Sequence, residues 1–177
     1  NKNNKTSTKF SIVRYGNVVG SRGSIIPFLL SRKDFFPITD KKMTRFMITL
    51  DQAVRLVWFA FQDMQGGEIY VKKIPTTNIM NIADAINPNM DIKYIGIRPG
   101  EKIHEQMIGP EDAPYTYEYK DYFKILPCIK NWSKDKKRIK KGKKVKSDFC
   151  YSSDSKKNLL HKSALKILIQ QINNKRS

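Results

Sequence analysis

Apolar residues recur along this chain in short runs, and the spacing within each run sets the element it predicts. Phe10-Ser-Ile-Val-Arg-Tyr15 reads as a β-type run that breaks into Gly16-Asn-Val-Val-Gly20-Ser-Arg-Gly-Ser24, where three glycines in eight residues preclude regular structure. Ser24 is placed to cap a helix beginning near Ile25-Ile26-Pro27 and running to about Lys33, because proline is tolerated in a first turn. Phe36 to Thr39 reads as a short strand. From Thr49 to Met64 the apolar positions Ala53, Val54, Val57, Trp58 and Phe61 follow the helical i, i+3, i+4 pattern, with Thr49 or Asp51 as cap. Gly66-Gly67 ends that helix and Glu68 to Val71 begins a strand. A second helix is predicted over Ile79 to Ile86, a strand over Ile92 to Ile97, a helix through Lys102 to Met107, and an amphipathic helix over Leu159 to Ile172. Met43, Met47, Trp58 and Phe61 are expected in the core. Strands and helices alternate and no internal repeat is evident, so an α/β layer arrangement is expected.

Charge changes this picture in one segment. The chain has 177 residues with 34 Lys and Arg against 16 Asp and Glu, a formal net charge of +18, and 40% hydrophobic content suffices for a core. Half of that net charge lies between Lys130 and Lys146, where ten basic residues stand against Asp135 alone. Trp132 is the single aromatic in this stretch, whereas nucleic-acid recognition combines phosphate attraction with stacking or a groove-shaped element. The segment therefore reads as a solvated, lysine-biased loop over residues 130–147, and no nucleic-acid partner is expected. No apolar run is long enough to span a bilayer, and Asn1 to Lys9 lacks a secretory core, so no membrane association is expected. Cys128 and Cys150 cannot make a disulfide framework, and beside His104 and His161 they form no zinc spacing; a reducing compartment without structural metal is the expectation. The chain opens on Asn1 and a polar stretch before an abrupt apolar strand, as a sequence resuming partway does.

Three arginines fall in loop contexts at predicted element ends: Arg22 in the glycine loop, Arg45 in Met43-Thr-Arg-Phe46, and Arg98 in Ile97-Arg-Pro-Gly-Glu-Lys102. Loops at strand ends are where α/β folds gather ligand groups. Guanidinium forks from separate segments suit a diphosphate, which offers several anionic oxygens to planar, permanently charged donors. The alternative is that each arginine pairs with a neighbouring surface carboxylate.

Five pieces stand in one order: Arg14-Tyr-Gly-Asn-Val-Val-Gly-Ser-Arg-Gly-Ser24, Pro37-Ile-Thr-Asp40, Met43-Thr-Arg-Phe46, Ile97-Arg-Pro-Gly-Glu-Lys-Ile-His-Glu105 and Tyr151-Ser-Ser-Asp154. Together they resemble the configuration-inverting UDP-N-acetylglucosamine 4,6-dehydratases of pseudaminic acid biosynthesis, which are extended short-chain dehydrogenases/reductases. The resemblance runs from about Phe10 to Tyr151 and covers the half of such an enzyme that follows its catalytic tyrosine helix. It implies the C-terminal part of a Rossmann-type α/β fold with a small substrate-binding region, spanning residues 1–177. Members carry a Gly-rich turn for NADP, a Thr-Asp-Lys motif and a Tyr-x-x-x-Lys pair earlier in the chain; the first and last are not in this sequence, and its Thr39-Asp40-Lys41 belongs to the Pro37-Ile-Thr-Asp40 piece and not to that earlier motif. The resemblance therefore assigns no catalytic residue here and places most of the NADP site in an N-terminal half absent from this sequence. Met47 stands where the family usually has Trp, and the connection from Ser31 to Phe36 is shorter than its norm.

Carried over residue by residue, the resemblance implies that Asn17 hydrogen-bonds the substrate near its diphosphate and that Val18 packs by the nicotinamide end of NADP. Arg22, Gly23, Ser24, Ile25 and Ile26 would wrap the UDP portion, and Thr39 would sit at the uracil. Arg45 and Arg98 would clamp the pyrophosphate, and Glu101 would accept hydrogen bonds from ribose hydroxyls. Tyr151, Ser152, Ser153 and Asp154 would close over the substrate. For each a plainer role exists: Asn17 as turn support, Glu101 as a first-turn carboxylate favoured by the helix dipole, His104 as an ordinary packed or exposed histidine. For a whole enzyme the implied reaction takes hydride from sugar C4, eliminates water across C5 and C6, and returns hydride to C6 with inversion at C5, the first step towards pseudaminic acid for glycan or flagellin modification. A cytoplasmic location and a homo-oligomer are implied for that enzyme. Two other readings stand beside it. One is a non-catalytic UDP-sugar-binding module or a related epimerase; the other is a nucleic-acid protein using Lys130 to Lys146.

Overall fold

The computed structural model describes residues 8–128 and 135–174. In chain order these form β1 (Ile12–Arg14), β2 (Asn17–Val18), α1 (Ile25–Leu30), β3 (Phe35–Ile38), β4 (Thr44–Ile48), α2 (Leu50–Asp63), β5 (Ile69–Lys72), β6 (Thr76–Asn78), α3 (Ile79–Ile86), β7 (Asp91–Tyr94), β8 (Gln106–Ile108), β9 (Thr116–Glu118), β10 (Tyr122–Ile125), α4 (Lys136–Ile139), β11 (Lys143–Lys144), β12 (Tyr151–Ser152) and α5 (Lys162–Asn174). They group into two compact units. One takes in residues up to Arg14 with Val54–Lys73 and Ile108–Cys150; the other takes in Tyr15–Ala53, Ile74–Met107 and the residues from Tyr151 on.

The first unit is built on a five-stranded sheet in the order β1-β5-β10-β9-β11. β1 and β5 run parallel, and every other pair is antiparallel. Leu56, Ala60 and Tyr70 form its centre, with Val13, Phe59, Met64 and Tyr122 around them. The expected helix is present as α2, and Thr49 caps it reciprocally with Gln52: the Gln52 N–H donates to Thr49 Oγ1 (3.2 Å) and the Thr49 N–H to Gln52 Oε1 (3.1 Å). Its buried face is not the expected one. Ala53, Leu56 and Ala60 face inward, while Trp58 and Phe61 are 62% and 64% exposed, their rings edge-on to each other. Apolar residues occupy nearly every position from 53 to 61, so periodicity alone leaves the orientation of this helix open.

The basic segment is also more structured than a solvated loop. Lys130 and Trp132 lie outside the described residues, but residues 135–146 carry α4 and the edge strand β11. Two of the cations are drawn onto acids in the sheet's interior. Arg138 Nη1 donates to Glu68 Oε1 (2.5 Å) and to the Gly66 carbonyl (3.0 Å), and Lys140 Nζ donates to Asp63 Oδ1. Asp63 accepts as well from the buried Lys124 Nζ and from Tyr70 Oη (2.9 Å). Burial opposes ionisation of Asp63, but the bonds from Lys124, Lys140 and Tyr70 outweigh it and hold the carboxyl below its ordinary value of 3.8. The same burial, reinforced by Asp63, pushes the Tyr70 phenol far up and that of Tyr122 to about 12.

In the second unit β2 pairs parallel with β4, β4 antiparallel with β6, and β3 parallel with β7. β12 lies alongside β8. Ile26, Leu29, Phe36, Ile38, Met43, Met47, Ile79, Ile82, Leu165 and Ile169 form the core, so Met43 and Met47 are where expected. Each fully buried Ile or Leu contributes about 1.5–3 kcal/mol. α3 has the expected bounds because Asn78 Oδ1 accepts the Met80 N–H (2.7 Å) at its start. α1 stops at Leu30, short of Lys33, and Ser24 occupies its N-cap without a side-chain capping bond. The helix expected over Lys102 to Met107 does not form. Residues 101–105 are irregular and Gln106 begins β8, because the Glu105 carbonyl accepts from the Ser153 N–H (2.8 Å) and its side chain from another strand. A single turn's worth of periodic residues cannot repay helix nucleation against such partners.

Candidate functional site

The glycine loop reaches the second unit's sheet because Gly16 has no side chain. A Cβ there would meet Phe46 Cβ at 2.3 Å and the Phe46 carbonyl oxygen at 2.7 Å. That approach brings Asn17 on β2 beside β4, in register with Met47, and Gly23, at φ +76°, carries the chain on to Ser24. On the other side, Pro99 and Gly100 (φ +85°) make a tight turn in which the Glu101 N–H donates to the Arg98 carbonyl (3.0 Å). Glu101 Oε2 in return accepts the Arg98 N–H (3.0 Å), so Glu101 is a turn carboxylate and not a first-turn helix residue.

These segments enclose a cleft of about 370 Å³. Its polar lining includes Asn17, Ser24, Thr39, Arg45, Arg98 and Glu101, and Ile25, Phe28, Ile38 and Ile95 supply apolar wall. The Ser24 hydroxyl is buried and has no hydrogen-bond partner among the described residues, as expected of a group that a ligand completes. Arg98 stands exposed at the rim, whereas Arg45 is held: its side chain is 16% exposed. Its Nη1 donates to the Thr44 (2.8 Å) and Ile103 (3.1 Å) carbonyls and its Nη2 to Met43 Sδ (3.3 Å). Another depression of the same unit, about 320 Å³ beside α3, is lined by Phe36, Met80, Asp84 and Met90 among others, with no Lys or Arg, and does not suit an anion.

Eight of the expected residues therefore share one cleft: Asn17, Gly23, Ser24, Ile25, Thr39, Arg45, Arg98 and Glu101. The others lie elsewhere. Arg22 is exposed outside the lining, and Ile26 is 1% exposed in the core. Val18, on β2, pairs with Ile48 on β4 and does not line the cleft. Residues 151–154 do not line the cleft. Tyr151 Oη donates to the Ile74 carbonyl (3.1 Å) and accepts the Ile74 N–H (2.9 Å) inside the fold. Ser153 is 1% exposed and bonded to Thr44 and Glu105. The residue that sequence reasoning missed is Glu105. Its Oε1 accepts from Asn17 Nδ2 (3.3 Å) and faces Arg45 Nε (3.7 Å), and its Oε2 accepts the Phe46 N–H (3.1 Å). His104 beside it is half-buried, with Nδ1 2.8 Å from Thr44 Oγ1.

A mixed α/β layer fold with a cationic cleft at its strand ends defines the class: the C-terminal part of a protein of the extended short-chain dehydrogenase/reductase type. The family described as polysaccharide biosynthesis protein matches residues 1–127, and the chain belongs to that family. It is 47% identical over 157 residues to the inverting UDP-N-acetylglucosamine 4,6-dehydratase of Campylobacter jejuni, which covers 84% of this chain and 47% of that protein. It is 34% identical over 160 residues to the UDP-glucose 4-epimerase of Rickettsia rickettsii, covering 86% and 47%. Among solved structures it is similar to Pen from Bacillus thuringiensis, at 30% identity and a TM-score of 0.80, over 97% of this chain and 52% of that one. The chain spans about half the length of the curated relatives it matches. No helix among the described residues is long and apolar enough to cross a membrane, and no group of His, Cys, Asp and Glu among them is arranged to hold a metal ion.

Proposed function

We propose that this chain supplies the substrate grip of a cytoplasmic, homo-oligomeric nucleotide-sugar 4,6-dehydratase, a lyase that acts on UDP-N-acetylglucosamine with inversion at C5, on the way to pseudaminic acid. The observation that carries this reading is the meeting of Arg45, Arg98 and the unpartnered Ser24 hydroxyl in one cleft with apolar walls. Arg45 and Arg98 supply N–H donors to the diphosphate, and Ser24 completes its hydrogen bonding there. Arg22 reaches the UDP from the rim, and Ile26 supports the loop from the core. Thr39, half-buried at the end of β3, contacts the uracil; Glu101, fixed by its turn, accepts from the ribose hydroxyls. Similarity to the Campylobacter dehydratase supports the choice of sugar and reaction.

Dehydratases and epimerases of this fold use a nicotinamide dinucleotide, here NADP, which when bound supplies the hydride exchange that the reaction needs. The sequence contains no Tyr-x-x-x-Lys pair to move the C4 hydroxyl proton, so this chain by itself binds without turnover. Val18 is its one residue assigned to the cofactor. The test is calorimetric titration of UDP and UDP-N-acetylglucosamine into the chain. Both should bind, and Arg45→Ala and Arg98→Ala should each weaken UDP about tenfold or more. Absence of binding, or binding to DNA that falls steeply with salt and ignores Arg98→Ala, would overturn the reading.

A further inference from the structure

We propose that Glu105 is the positioning residue of the cleft: its carboxylate sets Arg45 and Asn17 in the orientation that receives a diphosphate, and Ser153 holds Glu105 from behind. The proposal rests on reading the cleft as a nucleoside-diphosphate site.

Two hydrogen-bond donors from separate strands converge on this one carboxylate, the Asn17 amide of β2 and the Phe46 backbone N–H of β4, and the Arg45 guanidinium faces it as an ion pair with Nε at 3.7 Å. Both oxygens must accept, which an ionised carboxylate does and a carboxamide does not, since one of its two arms is itself a donor. Arg45 has no freedom to find the anion by swinging. Both Nη1 hydrogens are used on carbonyls, one Nη2 hydrogen points at Met43 Sδ, and Nε faces Glu105, which leaves the other Nη2 hydrogen for a ligand. The direction of that last donor is set by the two carbonyls, Met43 and the Glu105 carboxylate together, and Glu105 is the only one of these that carries a charge. Preorganisation of this kind raises affinity by removing the ordering cost from the binding step.

Residue 105 is in turn pinned through both of its backbone groups. Its N–H donates to Ser153 Oγ (2.8 Å), and its carbonyl accepts from the Ser153 N–H (2.8 Å) and from Ser152 Oγ (3.2 Å). Ser153 Oγ also bonds Thr44 Oγ1 (2.7 Å) and donates to the Thr44 carbonyl (3.2 Å), the same oxygen that accepts Arg45 Nη1. The segment 151–154 therefore acts on the cleft through Glu105 and Thr44 without touching what the cleft holds.

The test is a double-mutant cycle read by calorimetry with UDP and UMP on the full chain. Glu105→Gln should weaken UDP about tenfold while weakening UMP less than threefold, because the lost element is diphosphate positioning. In an Arg45→Ala, Asn17→Ala background the same substitution should change UDP affinity by less than twofold. Ser153→Ala, a smaller change, should weaken UDP about threefold and likewise have no effect without Arg45 and Asn17. Equal losses in both backgrounds, or parallel losses for UDP and UMP, would mean a merely structural role and overturn the proposal. An unchanged UDP affinity in both variants would overturn it too. Failure of the unmodified chain to bind UDP would overturn the nucleoside-diphosphate reading itself.

Discussion

Removing Asp63 should destabilise the first unit, and the structure sets the size of the effect. Lys124 is 2% exposed at its side chain and Asp63 7%, so the two form a buried ion pair. Asp63→Ala strands Lys124 with the Arg138 carbonyl (3.1 Å) as its remaining acceptor, and strands the Tyr70 hydroxyl as well. Breaking a buried pair from one side costs about 3–5 kcal/mol, and an orphaned buried hydroxyl about 1–3 kcal/mol, with partial overlap between the two. A loss of about 4 kcal/mol is a large part of the 5–15 kcal/mol that holds a typical domain. Lys124→Met behaves differently. Asp63 keeps Lys140, whose side chain is 57% exposed, and keeps Tyr70, so the cost should be about 1–2 kcal/mol. Urea unfolding of the two variants, followed by Trp58 fluorescence and by hydrogen exchange at β5 and β10, measures both. A cost below about 1 kcal/mol for Asp63→Ala, or a larger cost for Lys124→Met, would refute the assignment of Asp63 as the centre of that network.

The same carboxylate sets an acid limit. Its folded pKa lies below the ordinary 3.8, so its contribution is complete above that value and is lost as pH falls towards the folded one. Urea midpoints should drop as pH falls below 3.8 in the unmodified chain and less in Asp63→Asn; parallel curves would contradict this. Trp58→Gln with Phe61→Lys should slow aggregation measured by light scattering and leave the circular dichroism unchanged, since both rings are exposed. Unchanged aggregation would show that this face is not the adhesive one. Gly16→Ala should destabilise the second unit by about 1–3 kcal/mol in urea, because its new methyl collides with Phe46; an unchanged midpoint would contradict that close approach.

What could be read from the sequence was what depends on neighbours in the chain. α3 follows from Asn78 and the apolar spacing after it, and α2 from Thr49 and its periodicity. Which face of α2 is buried depends on the sheet beneath it, and apolar residues on both faces left that unreadable. The stretch Lys102 to Met107 misleads for the same reason. Its apolar spacing is helical, but Glu105 is bonded to residues 17 and 46, distant in sequence, and those bonds decide the backbone. At the site, Arg98 is the loop cation the sequence suggests, while Arg45, expected in a loop, is on β4; the two share a cleft, and Arg22 does not line it. Tyr151 and Ser153 look from the sequence like ligand groups, because a phenol and a hydroxyl carry no mark of the interior partners they find.

The central claim, a nucleoside-diphosphate cleft in the second unit, is tested most directly by following backbone amide resonances as UDP is added. The signals of Asn17, Ser24, Thr39, Arg45 and Glu101 should shift together and saturate at one dissociation constant. Shifts confined to Lys136, Lys137, Lys141 and their basic neighbours, or none at all, would contradict it.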